Sequence, residues 1–148
     1  MTTATRTAAR KRAPGFGSWK QALVKADPGT RIRIVRAGAS AAIMASASEH
    51  FGMPRHLFAR LVGISPATAE RKISAGTLLG QAETERLERI ALIVDEAEQA
   101  FGSPDLARDW LTRKNTALGD TPLSLLDTGT GAAEVRKVLA AIAFGGAV

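Results

Sequence analysis

The stretch RHLFARLVGISPATAERKISAG (residues 55–76) decides how we interpret the rest of the chain. Its first part places apolar residues at helical spacings of three and four, which predicts one buried helical face; these residues are Leu57, Phe58, Leu61 and Val62. A short turn follows, and Ser65 before Pro66 predicts the start of a second helix because serine caps free amides and proline suits the first helical position. Gly76 ends that helix. Two short helices joined by a three-residue turn containing glycine match the helix-turn-helix unit.

In a helix-turn-helix unit the second helix lies in the major groove of DNA, with its N-terminal residues at the base edges. Arginine can bind guanine through two hydrogen bonds, so Arg71 is the candidate base contact, whereas Lys72 is a candidate phosphate contact. The candidate DNA contacts of this unit are Ser65, Thr68, Arg71 and Lys72. An ordinary helical hairpin with solvated basic residues has the same spacing, so that alternative stays open.

Positive charge is concentrated at the beginning of the chain. The formal net charge is +6, and residues 1–36 hold nine lysines and arginines against one acid, whereas residues 37–148 hold eleven basic and thirteen acidic residues. A cationic segment ahead of a nearly neutral body favours contact with phosphate backbones. Arg10, Lys11 and Arg12 are therefore further candidate DNA contacts. A solvated tail or a transit peptide could have the same composition.

The remaining pattern predicts an all-α fold. Residues 83–101 carry one apolar stripe between charged faces, and residues 129–143 carry another. Ser103-Pro104-Asp105 predicts a further helix start, after which Leu106, Trp110 and Leu111 are expected to face the core. Residues 30–37 are ambiguous because Ile32 and Ile34 alternate as in a strand. Since no second strand is available to pair with them, we predict a helix there.

The first 17 residues show no apolar periodicity, which predicts a flexible arm. A short helix follows, from which Trp19 and Leu23 could cover part of the core. With no cysteine in the chain, a disulfide or thiolate metal site is excluded, as suits a cytoplasmic protein. No apolar run approaches the roughly 20 residues that cross a bilayer, and no secretory segment follows the start.

Residues that could support catalysis or metal binding are sparse. His50 and His56 lie six residues apart without a carboxylate cluster, so we expect capping or surface histidines. Gly129-Thr130-Gly131 lacks the third glycine and the preceding strand of a dinucleotide-binding fingerprint. No phosphate-binding loop lysine or nucleophile elbow is present. We therefore predict a protein that is not an enzyme and needs no metal or cofactor.

The most specific stretch is WLTRKNTALGDTPLSLLDT (residues 110–128), followed by a helix and a glycine-containing tail. It combines a Trp-Leu pair, an Asn-x-Ala-Leu-Gly loop and a Pro-Leu-x-Leu-Leu segment. In that order these features resemble the toxin-binding domain of the MbcA/ParS/Xre antitoxins, and GISPATAERK (63–72) resembles their Xre-like half. The resemblance covers residues 30–148. Lys114 stands where the family usually has proline, and Gly146 where a bulkier apolar residue is frequent.

The resemblance divides the chain into three parts. Residues 1–29 form a basic flexible arm and short helix, residues 30–82 an Xre-like helix-turn-helix region, and residues 83–148 a helical toxin-binding domain. It implies that the partner is a RES-domain toxin, encoded by an adjacent gene, which resembles ADP-ribosyltransferases and consumes NAD. Because recognition of two half-sites pairs a twofold protein with a near-palindromic operator, we also expect a homodimer, which would assemble with the toxin into a larger hetero-oligomer.

Neutralisation would follow if the C-terminal end of the chain covers the NAD pocket of the toxin. The candidate toxin contacts are Trp110, Asn115, Leu118, Gly119, Pro122, Leu123, Phe144, Gly145, Gly146, Ala147 and Val148. Phe144 could instead complete the core, and Trp110 and the loop leucines could support the toxin-facing surface from inside. A stand-alone helix-turn-helix regulator without a toxin, or an adaptor that does not contact DNA, are the rival functions.

Overall fold

The computed structural model describes residues 13–145, and these residues form eight α-helices and one 3₁₀ helix without a β-strand. The helices are α1 (Phe16–Lys25), α2 (Pro28–Ala37), α3 (Ala42–Phe51), α4 (Arg55–Val62), α5 (Pro66–Ala75), α6 (Gln81–Phe101), α7 (Pro104–Thr112), the 3₁₀ helix (Leu123–Asp127) and α8 (Gly129–Ala143). The predicted all-α fold is confirmed. The ambiguous residues 30–37 are helical, capped by the Asp27 side chain, which accepts from the Thr30 amide.

The long helix α6 organises the core. It packs against α1, α2 and α4 from the first half of the chain, and against α7, α8 and the 3₁₀ helix from the second half. Its predicted apolar stripe is buried, with Leu87 and Ile90 completely inaccessible. Because both halves of the chain bury side chains against one helix, they share a single hydrophobic core.

The N-terminal helix begins earlier than expected. The arm was predicted to extend to Gly17, but α1 begins at Phe16, whose side chain is only 1% exposed. The Phe16 amide donates to Ser46 Oγ at 2.8 Å, and its ring packs against His50 and Phe51. Phe16, Trp19 and Leu23 are spaced by three and four residues, so a helical pattern was present but interrupted by Gly17.

Two leucines expected in the core are exposed. Leu57 is 41% and Leu106 is 54% exposed. In α7 the buried positions are Ala107 and Leu111, which lie four residues apart on one face. Leu106 precedes that face by one residue, a rotation of about 100° around the helix, so it points away from the core.

One ion pair lies inside the fold. Lys20 on α1 pairs with Glu98 on α6, and their side chains are only 7% and 13% exposed. His50 lies near this pair and is half-buried, whereas the sequence predicted a capping or surface histidine. Burial lowers the pKa of His50, and the Glu98 carboxylate partly opposes that effect. Its Nε2 atom has no hydrogen-bond partner among the described residues. This pair and the Phe16 cluster fix α1 to the rest of the molecule.

Candidate functional site

The helix-turn-helix unit consists of α4, a tight turn and α5. The turn begins at Gly63, whose positive φ of 84° lets the chain reverse, and the next residue, Ile64, is buried. Ser65 Oγ accepts from the Thr68 amide at 3.2 Å and caps α5, as the sequence predicts. Phe58 and Ala69 face the core, so the two helices are held against each other. The unit is therefore rigid, and its outer surface is preformed.

The outward face of α5 differs from the set of residues proposed from the sequence. Its exposed positions are Ala67, Glu70, Arg71, Ser74 and Ala75, and the first four form a stripe with steps of three and four residues. Thr68 is half-buried and its hydroxyl accepts from Ser65 Oγ at 2.9 Å. Lys72 Nζ donates to the Leu78 carbonyl at 3.0 Å. Of the four candidates in the unit, Arg71 combines an exposed side chain with a position on the outward stripe.

Basic residues on α4 extend this surface. Arg55, His56 and Arg60 are exposed, and α4 contains no acidic residue. Arg55 Nη1 pairs with Glu70 Oε1 of α5 at 3.1 Å, across the outside of the unit. Arg55 and Arg60 were not among the sequence-predicted contacts, although the absence of acidic residues from α4 was a usable signal. Arg10, Lys11 and Arg12 lie outside the described residues.

The loop between α7 and the 3₁₀ helix is built around Asn115. Its amide donates to the Asp120 carbonyl at 3.0 Å, and its Oδ1 atom accepts from the Leu118 amide at 3.1 Å. Gly119 has a positive φ of 80° and donates to the Asn115 carbonyl. The Asn-x-Ala-Leu-Gly order thus describes a closed turn: asparagine supplies the acceptor and glycine the left-handed residue.

The candidate toxin contacts differ in how far their side chains are exposed to solvent. Pro122 is buried and Leu123 is completely inaccessible, so these two residues support the surface from inside. Trp110 is half-buried and packs on Phe101, with ring centroids 5.7 Å apart, and Leu118 is also half-buried. At the end of α8, Phe144 is 90% exposed and does not complete the core. Gly145 follows it with a positive φ of 73°.

A cleft of about 570 Å³ connects the Asn115 loop to the end of α8. It is lined by Trp110, Lys114, Asn115, Thr116, Ala117, Ile142 and Gly145. Lys114 is exposed and contributes a positive charge to the cleft wall. Gly146, Ala147 and Val148 lie outside the described residues.

The part of the chain that the structure describes contains no group of three histidine, aspartate or glutamate side chains placed to hold a metal ion. His56 is exposed, and His50 packs between aromatic rings. None of the helices within residues 13–145 is both long enough and apolar enough to cross a membrane.

The fold and these two surfaces define a helix-turn-helix protein with a second, C-terminal helical region that shares its core. Residues 30–92 match the antitoxin Xre-like helix-turn-helix domain, and residues 96–145 match the antitoxin Xre/MbcA/ParS C-terminal toxin-binding domain. The two matches are consecutive and together cover most of the chain. The protein therefore belongs to the MbcA/ParS/Xre-type antitoxins.

Two curated relatives agree with this assignment. The chain is 27% identical to the Prs ADP-ribosylating antitoxin of a Sphingobium species, with 98% of this chain and 96% of the relative covered. It is 33% identical to the antitoxin Xre of Photorhabdus laumondii, over 58% of this chain and 60% of the relative. Helix α1 precedes residue 30, where the first matched domain begins.

Proposed function

We propose that this antitoxin neutralises a RES-type, NAD-consuming toxin encoded by an adjacent gene, by covering the NAD site with its C-terminal end. The observation that carries this proposal is Phe144, a large apolar side chain that is 90% exposed beside the cleft at the end of α8. Exposed aromatic residues of this kind are typical anchors of protein interfaces. The name of the Sphingobium relative, which refers to ADP-ribosylation, is compatible with a toxin that consumes NAD.

The protein acts in this proposal by binding alone, without catalysis or a cofactor. The rigid loop around Asn115 and the buried Pro122 and Leu123 hold the cleft in shape, so that little order has to be created when the toxin binds. Phe144 and residues 145–148 then contact the toxin directly. The antitoxin acts in the cytoplasm, where both NAD and operator DNA are present.

We further propose that the helix-turn-helix unit binds the operator of its own operon. Arg71 lies on the outward stripe of α5, and the exposed Arg60 of α4 adds charge for the phosphate backbone. Arg55 would add to it once the backbone displaces its guanidinium from Glu70. A homodimer would place two such units on a near-palindromic operator. Dimers would then assemble with the toxin into a larger hetero-oligomer.

Co-expression with the product of the adjacent gene tests the toxin-binding function. We expect cellular NAD to fall when the neighbour is expressed alone, and to recover when this chain forms a stable complex with it. Absence of both toxicity and a complex would favour a stand-alone regulator, in which the DNA-binding unit alone carries the function.

Replacing Arg71 with alanine is expected to weaken operator binding by about 1–3 kcal/mol if the guanidinium contacts a base. Fluorescence anisotropy with the duplex upstream of the operon measures this change. Arg113→Ala, which removes an exposed arginine from the C-terminal half, is the matched control and should leave affinity unchanged. Unchanged affinity of the Arg71 variant for the duplex would contradict the base contact. If the wild-type chain does not bind the duplex, operator binding itself is wrong.

A further inference from the structure

Helix α2 exposes apolar surface that the fold leaves uncovered. It carries Ile32, Ile34 and Val35, yet none of its residues is fully buried. Ile34 packs partly against the core, whereas Ile32 is 49% exposed and Val35 is half-buried. A helix on the surface of a globular protein normally turns its apolar stripe inward. Part of the apolar stripe of α2 therefore remains available to a partner.

The exposed apolar residues lie in a groove with walls of opposite charge. Ile32 and Val35 line a groove of about 250 Å³ between α2 and α6, which we call the α2–α6 groove. Its other lining residues are Arg31 and Arg36 on α2, and Gln81, Glu85 and Glu88 on α6. One wall is thus basic and the other acidic.

The charges of the α2–α6 groove are not neutralised by ion pairs within residues 13–145. Ion pairs form elsewhere in this part of the chain, but Arg36, Glu85 and Glu88 take part in none of them. Arg31 is engaged with the end of α1, where Nε donates to the Leu23 carbonyl at 2.7 Å. Burial raises the pKa of Glu88, and the nearby Arg31 opposes that effect. A bound surface that supplied a positive charge would stabilise the Glu88 carboxylate.

A second copy of the same chain would place opposite charges against both walls of the groove at once. Rotation about a twofold axis that runs along the groove places the basic wall of each copy opposite the acidic wall of the other, and brings the apolar residues together at the centre. An interface of this kind is self-complementary, as symmetric dimers require. The two glutamates disfavour nucleic acid here, and a purely basic or purely acidic segment would match only one wall.

We infer that the α2–α6 groove is the homodimer interface of this antitoxin, with Ile32 and Val35 at its centre and Arg36 facing Glu85 of the second copy. The inference rests on the proposed function, because the operator-binding proposal calls for a dimer. The groove is the surface that forms the dimer. It shares no residue with the outward stripe of α5 or with the cleft at the end of α8.

Sedimentation velocity of the full chain, without DNA or toxin, tests this interface. Arg36→Glu or Glu85→Arg alone opposes like charges and is expected to raise the dimer dissociation constant at least about tenfold. The double variant R36E/E85R exchanges the charges of the two walls and should restore the dimer. A nonspecific effect of the single substitutions would not be reversed in this way. Ile32→Glu should disrupt the dimer both in the wild-type chain and in the double variant. Arg33→Glu, an equal charge reversal at an exposed position of α2 outside the groove, is the matched control.

Circular dichroism establishes that each variant keeps its helical content. A wild-type chain that stays monomeric, or a dimer that is insensitive to these substitutions, overturns the inference. So does a chain that dimerises only after residues 1–12 are deleted, because that segment would then be the occupant of the groove. Because this experiment contains neither toxin nor DNA, a failure of the dimer interface leaves the proposal of toxin neutralisation intact. Conversely, a dimer that forms through this groove but neither inhibits the toxin nor binds the operator overturns only the proposed function.

Discussion

Deletion of Gly145–Val148 is expected to abolish neutralisation of the toxin while leaving the fold intact. Helix α8 ends at Ala143, Phe144 is 90% exposed, and Gly145 is exposed too, so none of these last described residues supports the core. Their removal should change the free energy of unfolding by no more than about 0.5 kcal/mol, as is usual for surface changes. In cells that express the toxin, NAD should fall with the truncated chain to the level seen without any antitoxin.

Phe144→Ala sharpens this test because it removes one side chain and no backbone. Truncation of a central aromatic anchor commonly costs at least about 2 kcal/mol of binding energy, and inhibition of the purified toxin should weaken by about 30-fold. Leu106→Ala removes a large apolar side chain that is also exposed, but from α7, and should leave inhibition unchanged. Full inhibition by the truncated chain would show that the end of the chain does not cover the NAD site.

The local elements of the fold could be predicted because short-range chemistry determines them. The cap at Ser65, the turn at Gly63 and the proline at the start of α5 each involve neighbours within a few residues, and the structure contains all three. The apolar stripe of α6 was equally predictable, since it repeats over about four turns. Phe16 was missed because Gly17 obscured a helical pattern of only three apolar residues.

The functional surfaces were less predictable because side chains find partners that are distant in sequence. Lys72 was a candidate phosphate contact, but its ammonium group donates to the carbonyl of Leu78, beyond the end of α5. The pairing of Arg55 with Glu70 links two helices across 15 residues and leaves no local pattern. Leu123 was a candidate toxin contact, and only the packing of the 3₁₀ helix against the core shows that it is inaccessible. The roles of the remaining candidates stay predictions.

Replacing Glu98 with alanine is expected to destabilise the protein by about 3–5 kcal/mol, because it leaves the Lys20 ammonium group buried without its counter-ion. The Lys20 and Glu98 side chains are 7% and 13% exposed, so water can only partly replace the lost carboxylate. Domains of this size are commonly stable by only about 5–15 kcal/mol. Urea unfolding, followed by circular dichroism, should therefore show a large fall in the midpoint.

Glu96→Ala is the matched control, two residues away on the same helix. Glu96 pairs with Arg136 at 3.1 Å, but both side chains are more than 40% exposed, and an exposed pair contributes at most about 1 kcal/mol. The double variant Lys20→Met with Glu98→Leu removes both charges and should recover most of the stability. If Glu98→Ala costs no more than Glu96→Ala, the pair is solvated and does not hold α1.

A large loss of stability with Glu98→Ala would also show that α1 is part of the fold, although it precedes the matched antitoxin domains. Phe16, Trp19 and Leu23 fill one side of the core that α3 and α6 share. Detachment of α1 would expose these three side chains to water. The Lys20–Glu98 ion pair thus ties α1 to α6, the helix on which both halves of the antitoxin pack.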